Sequence, residues 1–245
     1  MSAAQVISRA RLPSPQAPAW LAADSAKFGA PLGADEDTRA LASIAIKVRV
    51  ARNEAIYSEG DTSDYAYKVV SGVVRLSRHF ADGRRQIVQF LFSSDFFNIM
   101  GSGEHGFTAE AVSDVVLMKY PQRAFAKLAD EHVTIQQRFL NLLSLRLNDI
   151  QSHLMMLGRQ SAKERVASFL LKLAERTGSE DDEIIDLPMG RQDIADYLGL
   201  RIETVSRVFS EMKQDRLIDA RNLYQFALID SDGLQAIADG EETEE

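Results

Sequence analysis

The 245-residue chain contains no cysteine. Without a thiol it can form no disulfide bond, thiolate metal site, iron–sulfur cluster or catalytic thiol. It also has no apolar run near the ~20 residues of a membrane-spanning helix, and residues 1–13 lack the apolar core of a signal peptide. No nucleophile–base pair, metal-ligand cluster or glycine-rich phosphate loop is recognisable either. We therefore expect a cytoplasmic protein that is not an enzyme and does not bind membranes.

The chain has a deficit of positive charge, because it contains 28 Lys and Arg but 36 Asp and Glu, which gives a formal net charge of −8. Two acidic segments, a predicted loop at 178–186 and the tail of the chain, hold ten carboxylates: Glu180, Asp181, Asp182, Glu183 and Asp186 in the first, and Asp239, Glu241, Glu242, Glu244 and Glu245 in the second. These ten exceed the whole deficit. The acidic balance is therefore compatible with a local basic face that binds DNA.

Residues 190–210 have the pattern of a helix-turn-helix. Counted from Arg191, a small residue (Ala195) is fifth, a glycine (Gly199) is ninth and a β-branched residue (Val205) is fifteenth. Two short helices that cross steeply need these residue types for close approach, a tight turn and a shared core. The alternative is an ordinary helical hairpin, which could have the same apolar spacing.

The second helix of this pattern carries side chains suited to the major groove. Arg207 can donate two hydrogen bonds to guanine, Glu203 can accept one from cytosine N4, and Ser206 can serve either a base edge or the surroundings of a thymine methyl. Positions three and four apart share one helix face, so we predict that these three contact bases. The alternative is a surface ion pair between Glu203 and Arg207. Three neighbouring residues are predicted to contact phosphates: Arg191, Gln192 and Arg201.

Composition and periodicity divide the chain into five segments and indicate an α+β protein. Residues 1–35, rich in Ala, Pro and Ser, are predicted to be a flexible arm. Residues 36–130 are predicted to form a β-roll, since turn signals such as Asp82-Gly83 separate short strand-like runs. The remaining segments are a long helix (131–158), a winged helix-turn-helix domain (159–235) and an acidic tail (236–245). Ser161 and Glu164 form a predicted capping box at the start of the DNA-binding domain.

The long helix carries an apolar stripe with intervals of 3, 4, 3, 4 and 3, which is typical of a coiled-coil seam. Its members are Leu140, Leu143, Leu147, Ile150, Leu154 and Leu157. The stripe could instead pack on the β-roll. However, Phe139, Leu142 and Leu145 already supply a second apolar row for packing within the chain, which leaves the first row free for a partner.

These motifs resemble the Crp–Fnr family of bacterial transcription regulators, most of all its FixK and Fnr branch. The similarity rests on Glu203, Ser206 and Arg207, on the β-roll sequence at 67–76, and on roughly residues 45–235 as a whole. It implies a cyclic-nucleotide-binding-like β-roll, a homodimer through the long helix, TTGAT-type half-sites on double-stranded DNA and action on RNA polymerase. Two residues depart from the family: Gly190 replaces the usual Ser or Thr helix cap, and Arg216 replaces a common glycine before the wing.

The cyclic-nucleotide phosphate cassette of this fold, a Gly-Glu pair followed by Arg-Ser or Arg-Thr, is missing. Residues 98–100 and 107–110 occupy those places, so we expect no cyclic nucleotide, cofactor or metal. Arg84 and Arg85, at a hairpin tip, are expected to be solvated or to face a partner. A FixK-type regulator of a low-oxygen or nitrogen-oxide response is the leading interpretation. The alternative is a sensor gated by a small molecule, such as haem held by one of four histidines: His79, His105, His132 or His153.

Overall fold

The structure is a computed structural model that describes residues 36–99, 103–177 and 184–240. The predicted arm at 1–35 lies outside the described residues, as do residues 178–183 and the last five residues. A short helix, α1 (Glu36–Ile44), precedes the first strand. No helix in the described part of the chain is long and apolar enough to cross a membrane.

The first domain is a β-roll of two antiparallel sheets. Its strands are β1 (Ile46–Val50), β2 (Ala55–Tyr57), β3 (Tyr65–Ser71), β4 (Val74–His79), β5 (Arg85–Leu91), β6 (Phe96–Phe97), β7 (Thr108–Ala111) and β8 (Val115–Pro121). Their order is β1-β8-β3-β6 in one sheet and β2-β7-β4-β5 in the other. Alternate residues such as Val69, Leu91 and Leu117 are at most 1% exposed and fill the space between the sheets. The predicted β-roll is confirmed.

The hairpin predicted at Asp82-Gly83 joins β4 to β5 in antiparallel register. Gly83 has a φ of +85°, a left-handed conformation that glycine adopts without steric cost. The hairpin also reaches the second domain, since Gln86 Nε2 donates a hydrogen bond of 2.6 Å to the carbonyl oxygen of Asp196.

Two helices follow the β-roll, α2 (Gln122–Glu131) and α3 (Val133–Arg159). The 27 residues of α3 make it about 40 Å long. One face of α3 packs on α2 and on the β-roll through Phe139, whose ring lies 4.8 Å from that of Phe125 on α2 and 5.1 Å from that of Phe96 on β6. Leu142 packs against the same core as Phe139, as predicted for the second apolar row, and Leu145 is half-buried.

The second domain begins with α4 (Ala162–Thr177), after two non-helical residues at 160–161. The predicted capping box is present: the backbone amide of Ser161 donates to Glu164 Oε2 at 3.2 Å, and that of Glu164 donates to Ser161 Oγ at 3.4 Å. The remaining elements are β9 (Ile185–Asp186), α5 (Arg191–Leu198), α6 (Ile202–Gln214), β10 (Ile218–Asn222), β11 (Gln225–Leu228) and α7 (Ser231–Asp239). Strands β10, β11 and β9 form the sheet of the wing.

The structure corrects two predicted boundaries. Helix α7 extends through Asp239, four residues beyond the predicted domain end at 235, because Leu234 and Ala238 are buried in the domain core. Asp230 caps this helix by accepting a hydrogen bond of 2.9 Å from the amide of Gly233. The acidic segment predicted as a loop ends in β9, which pairs with β11.

The wing forms although Arg216 replaces the common glycine. Arg216 has a φ of +57°, a left-handed conformation that costs a non-glycine residue about 1–2 kcal/mol. The amide of Leu217 donates to the carbonyl of Met212 at 2.9 Å, which closes the end of α6. Pairing of β10 with β11 then starts at Ile218 opposite Leu228.

Candidate nucleic-acid interface

Helices α5 and α6 cross at the three positions that the sequence pattern predicts. Ala195 and Val205 are both fully buried between the helices. Gly199 has a φ of +64° and ends α5, and the amide of Leu200 donates to the carbonyl of Ala195 at 3.0 Å. Gly190 stands at the N-cap of α5, where it has no side chain to accept a hydrogen bond from the helix. The helix-turn-helix is confirmed, and the simple helical hairpin is excluded.

The predicted base-contacting residues lie together on the exposed face of α6. Glu203, Ser206 and Arg207 are all exposed, whereas Val205, between them in sequence, is buried. Their place in the first two turns leaves them free to enter a groove ahead of the rest of the helix. Base contact by these three residues stays a prediction.

Arg207 does not pair with Glu203. Its Nε atom lies 3.5 Å from Glu211 Oε1, with the two side chains 70% and 42% exposed. An ion pair this exposed contributes only a few tenths of a kcal/mol, so DNA can displace it readily. Glu203 has no ion-pair partner among the described residues, and its carboxylate is available as an acceptor.

The three predicted phosphate contacts differ in their surroundings. Arg201 is exposed at the N-cap of α6. Gln192 is exposed too, but its Nε2 donates to Asp196 Oδ1 at 2.6 Å. Arg191 is half-buried, with its guanidinium 3.6 Å from the centroid of the Phe209 ring, and burial lowers its pKa. Arg201 is therefore the most accessible of the three, whereas Arg191 would have to move away from the Phe209 ring to reach a phosphate.

The predicted seam of α3 is an exposed apolar surface. Leu140, Leu147 and Ile150 are 55%, 55% and 58% exposed, Leu154 is 67% exposed and Leu143 is 39% exposed. Leu157 is half-buried, because its side chain approaches Gly199 at the turn of the helix-turn-helix. A row of large apolar side chains this exposed is typical of a surface that a partner covers.

An ion-pair cluster between the domains was not predicted from the sequence. Arg85, which was expected to be solvated or to face a partner, instead pairs with Asp193 and, at 2.7 Å, with Asp196, both on α5. Arg75 on β4 lies 3.0 Å from Asp193 and 3.1 Å from Glu110 on β7. Burial alone would lower the pKa of Arg85, but hydrogen bonds and attraction from these two aspartates raise it. We call these five residues the interdomain cluster.

Polar side chains at the place of the phosphate cassette are engaged within the protein. Asn98 Nδ2 donates to Ser63 Oγ at 2.8 Å and to the carbonyl of Tyr65 at 2.6 Å. Glu110 accepts from Arg75 in the interdomain cluster. Arg78 lies over the ring of Phe107, 5.3 Å from its centroid.

The four histidines lie in four different environments. His79 is exposed, His105 stacks on Tyr57 at 3.5 Å, His132 lies 3.5 Å from Asp37, and His153 stacks on the ring of Tyr197 at 4.2 Å. Burial lowers the pKa of His105, and burial together with Lys172 lowers that of His153 to about 4. Among the described residues, no group of three or more His, Cys, Asp and Glu could hold a metal ion.

Known families and proteins match both domains. A family model of the Crp-like helix-turn-helix domain matches residues 164–237, and one of the cyclic nucleotide-binding domain matches residues 47–132. The nitrogen fixation regulation protein FixK of Rhizobium meliloti is 40% identical over 185 residues, which cover 74% of this chain and 82% of that protein. The transcriptional activator protein FnrL of Cereibacter sphaeroides is 32% identical over 171 residues, which cover 67% of this chain and 69% of that protein.

A solved structure agrees with this similarity. FixK2 from Bradyrhizobium japonicum superimposes with a TM-score of 0.75 and 32% identity, covering 79% of this chain and 97% of that one. A superposition of this extent includes the β-roll, the long helix and the helix-turn-helix domain.

Proposed function

Because the chain belongs to the Crp–Fnr family of transcription regulators, whose Crp-like helix-turn-helix domain it carries, we propose that it is a homodimeric activator of the FixK type. Its proposed target is a palindrome of TTGAT-like half-sites, which Glu203, Ser206 and Arg207 read. In this proposal it acts on RNA polymerase in a response to low oxygen or to nitrogen oxides, as the resemblance to the FixK and Fnr branch implies.

The exposed face of α6 carries this proposal. It presents a carboxylate, a hydroxyl and a guanidinium in the first two turns of the second helix of a helix-turn-helix. Arginine is the commonest side chain that specifies guanine, and a good bidentate pair discriminates by about 1–3 kcal/mol. Arg207 is 70% exposed and held only by a weak surface pair, so it can extend to a base.

The exposed stripe of α3 supports the homodimer. Two copies that pair through the stripe would bury it and would present two α6 helices related by a two-fold axis. Dimeric helix-turn-helix proteins place such helices in successive major grooves, about 34–36 Å apart. A palindromic target follows from this symmetry.

Activity without a diffusible effector is part of the proposal. Asn98 and Glu110, at the place of the missing phosphate cassette, already bond to other protein groups. An effector shifts a conformational equilibrium only by its differential affinity for the two states. A FixK-type protein without an effector must therefore populate the DNA-binding arrangement by itself.

The test uses purified protein stripped of metals and haem, in air, and a fluorescent TTGAT palindrome. We expect binding at nanomolar concentration, and a change of less than about twofold when cyclic AMP is added, against the 5–150-fold of typical allosteric coupling. A Soret band in the protein before stripping, with binding restored only by haem, would instead support the haem-gated alternative. Inert stripped protein that any other small molecule activates would also refute independence from effectors.

A further inference from the structure

The interdomain cluster lies where one face of the β4–β5 hairpin meets α5. Arg85 stands on this face next to Ile87, which is fully buried in a core shared by the two domains. Asp193 and Asp196 are three residues apart, so both project from the side of α5 that faces the hairpin. Gln86 adds its hydrogen bond to the carbonyl of Asp196.

The charges of the cluster are shielded from water. The side chains of Arg75 and Arg85 are 10% and 18% exposed, and those of Asp193 and Asp196 are 12% and 11% exposed. Removing one member of such a group leaves an unpaired charge in a poorly solvated place, which costs far more than a surface pair contributes. A cluster of this kind strongly favours the single docking geometry in which every charge keeps its partner.

The covalent link between the domains cannot fix that geometry alone. Helices α3 and α4 are joined only by the non-helical residues 160–161. Arg165 braces this link by donating to the carbonyls of Gln160, Leu157 and Leu198 at 2.9, 2.8 and 3.0 Å. These bonds hold α3, α4 and the end of α5 near the link, whereas the interdomain cluster holds the start and middle of α5 on the β-roll.

What the cluster positions is the base-contacting face. Ala195 and Val205 are fully buried between α5 and α6, so the two helices move as one unit. Fixing α5 on the hairpin therefore fixes Glu203, Ser206 and Arg207 relative to α3, the helix of the proposed dimer. In a two-fold dimer, this sets both the distance and the angle between the two base-contacting faces.

We propose that the interdomain cluster is the positioning element that holds the helix-turn-helix in its DNA-binding arrangement without an effector. Arg75, Arg85, Asp193 and Asp196 are then positioning residues for DNA binding, although none of them touches DNA. The inference rests on the proposed function, because it needs a dimer that reads two half-sites. When the competent arrangement is only a fraction of the population, the apparent Kd rises by the inverse of that fraction.

The experiment compares full-length Arg85→Gln, Asp196→Asn and the double variant with the wild type by fluorescence anisotropy. The DNA probes are the TTGAT palindrome, the same palindrome with five base pairs inserted at its centre, and a single half-site. We expect each single variant to bind the palindrome at least tenfold more weakly and the half-site within twofold of the wild type. Preference for the correct spacing should fall in parallel.

Two further variants separate positioning from general damage. Arg84→Gln changes the neighbouring arginine, which is 80% exposed and pairs within its own hairpin, and it should bind like the wild type. Arg85→Lys keeps the charge and should recover part of the affinity for the palindrome. The double variant should lose little more than either single variant, because both remove the same interaction.

Each other result overturns the inference. Unchanged affinity for the palindrome means that the cluster positions nothing, and higher affinity means that it holds an inactive arrangement. Equal losses on the palindrome and the half-site mean that the helix-turn-helix itself is damaged. Failure of the proposed function is distinguishable, because the wild type would then be monomeric or would itself show no preference for the palindrome.

Discussion

Replacing Leu147 and Leu154 with glutamate should convert the protein into monomers. The two leucines are 55% and 67% exposed in the single chain, so more than half of each residue's surface is available for burial by a partner. Full burial of a leucine contributes about 1.5–3 kcal/mol, so each position should contribute about 1 kcal/mol per chain. Four leucines in a dimer then represent about 4 kcal/mol, or about a thousandfold in Kd.

The glutamates add a second penalty. Four carboxylates would lie in one apolar seam, where each must lose water or take up a proton. The dimer Kd should therefore rise by more than the thousandfold expected from lost apolar contact alone. The stability of each chain should change little, because both leucines point away from the chain's own core.

Sedimentation equilibrium at micromolar concentration measures this change directly. The matched control is the Asn148→Glu, Ser152→Glu double variant, which adds the same charge at exposed positions of α3 that lie off the 3-4 stripe. The control should stay dimeric and bind DNA. Dimers of the Leu147→Glu, Leu154→Glu variant would show that the seam is assigned to the wrong residues.

Three further predictions concern folding. Gly199→Ala should lower the free energy of unfolding by about 1–2 kcal/mol, because φ is +64° there. The control is Gly158→Ala, within helix α3, which should raise the free energy of unfolding by up to about 1 kcal/mol. Equal urea midpoints for the two variants would contradict the left-handed turn. Arg216→Gly should raise stability by up to about 1 kcal/mol without changing DNA affinity, and a loss of stability would contradict backbone strain at that position. Burial, with Lys172, lowers the pKa of His153 from 6.5 to about 4. Between these pH values His153 therefore binds a proton only in the unfolded chain, and the free energy of unfolding falls as pH falls through that window. When pH is lowered from 7 to 4.5, the free energy of unfolding of His153→Phe should therefore fall by about 1–2 kcal/mol less than that of the wild type, after allowance for partial exposure. Equal falls for the two proteins in urea unfolding would refute this.

Local sequence patterns predicted the helix-turn-helix correctly. Ala195, Gly199 and Val205 act within fifteen residues, where helix period and turn chemistry suffice to specify the structure. The hairpin at Asp82-Gly83 and the capping box at Ser161 were predictable for the same reason. Arg216 shows the limit of such patterns, since tertiary packing imposed a left-handed conformation on a residue that disfavours it.

The contacts between the domains could not be predicted from local pattern. Arg85 and its partners Asp193 and Asp196 are 108 and 111 residues apart in sequence, and a charged residue at a hairpin tip is usually solvated. The end of α7 was missed for a different reason: acidic residues dominate the composition there and mask the apolar spacing of Leu234 and Ala238. Pairing of charges across a fold is visible only when the fold itself is known.

The effect of Arg207→Ala on the ratio of two Kd values, one for the target palindrome and one for random DNA, tests sequence-specific DNA binding most directly. The measurement is the Kd for a TTGAT palindrome and for random DNA of equal length, at one fixed salt concentration, for the wild type and the variant. Lys127→Ala is the matched control, because it also removes one exposed cation from an i,i+4 pair, here with Glu131 on α2. We predict that Arg207→Ala weakens binding to the palindrome by about 1–3 kcal/mol, that binding to random DNA falls much less, and that Lys127→Ala changes neither. Equal losses of Arg207→Ala on both DNAs would contradict base reading by α6.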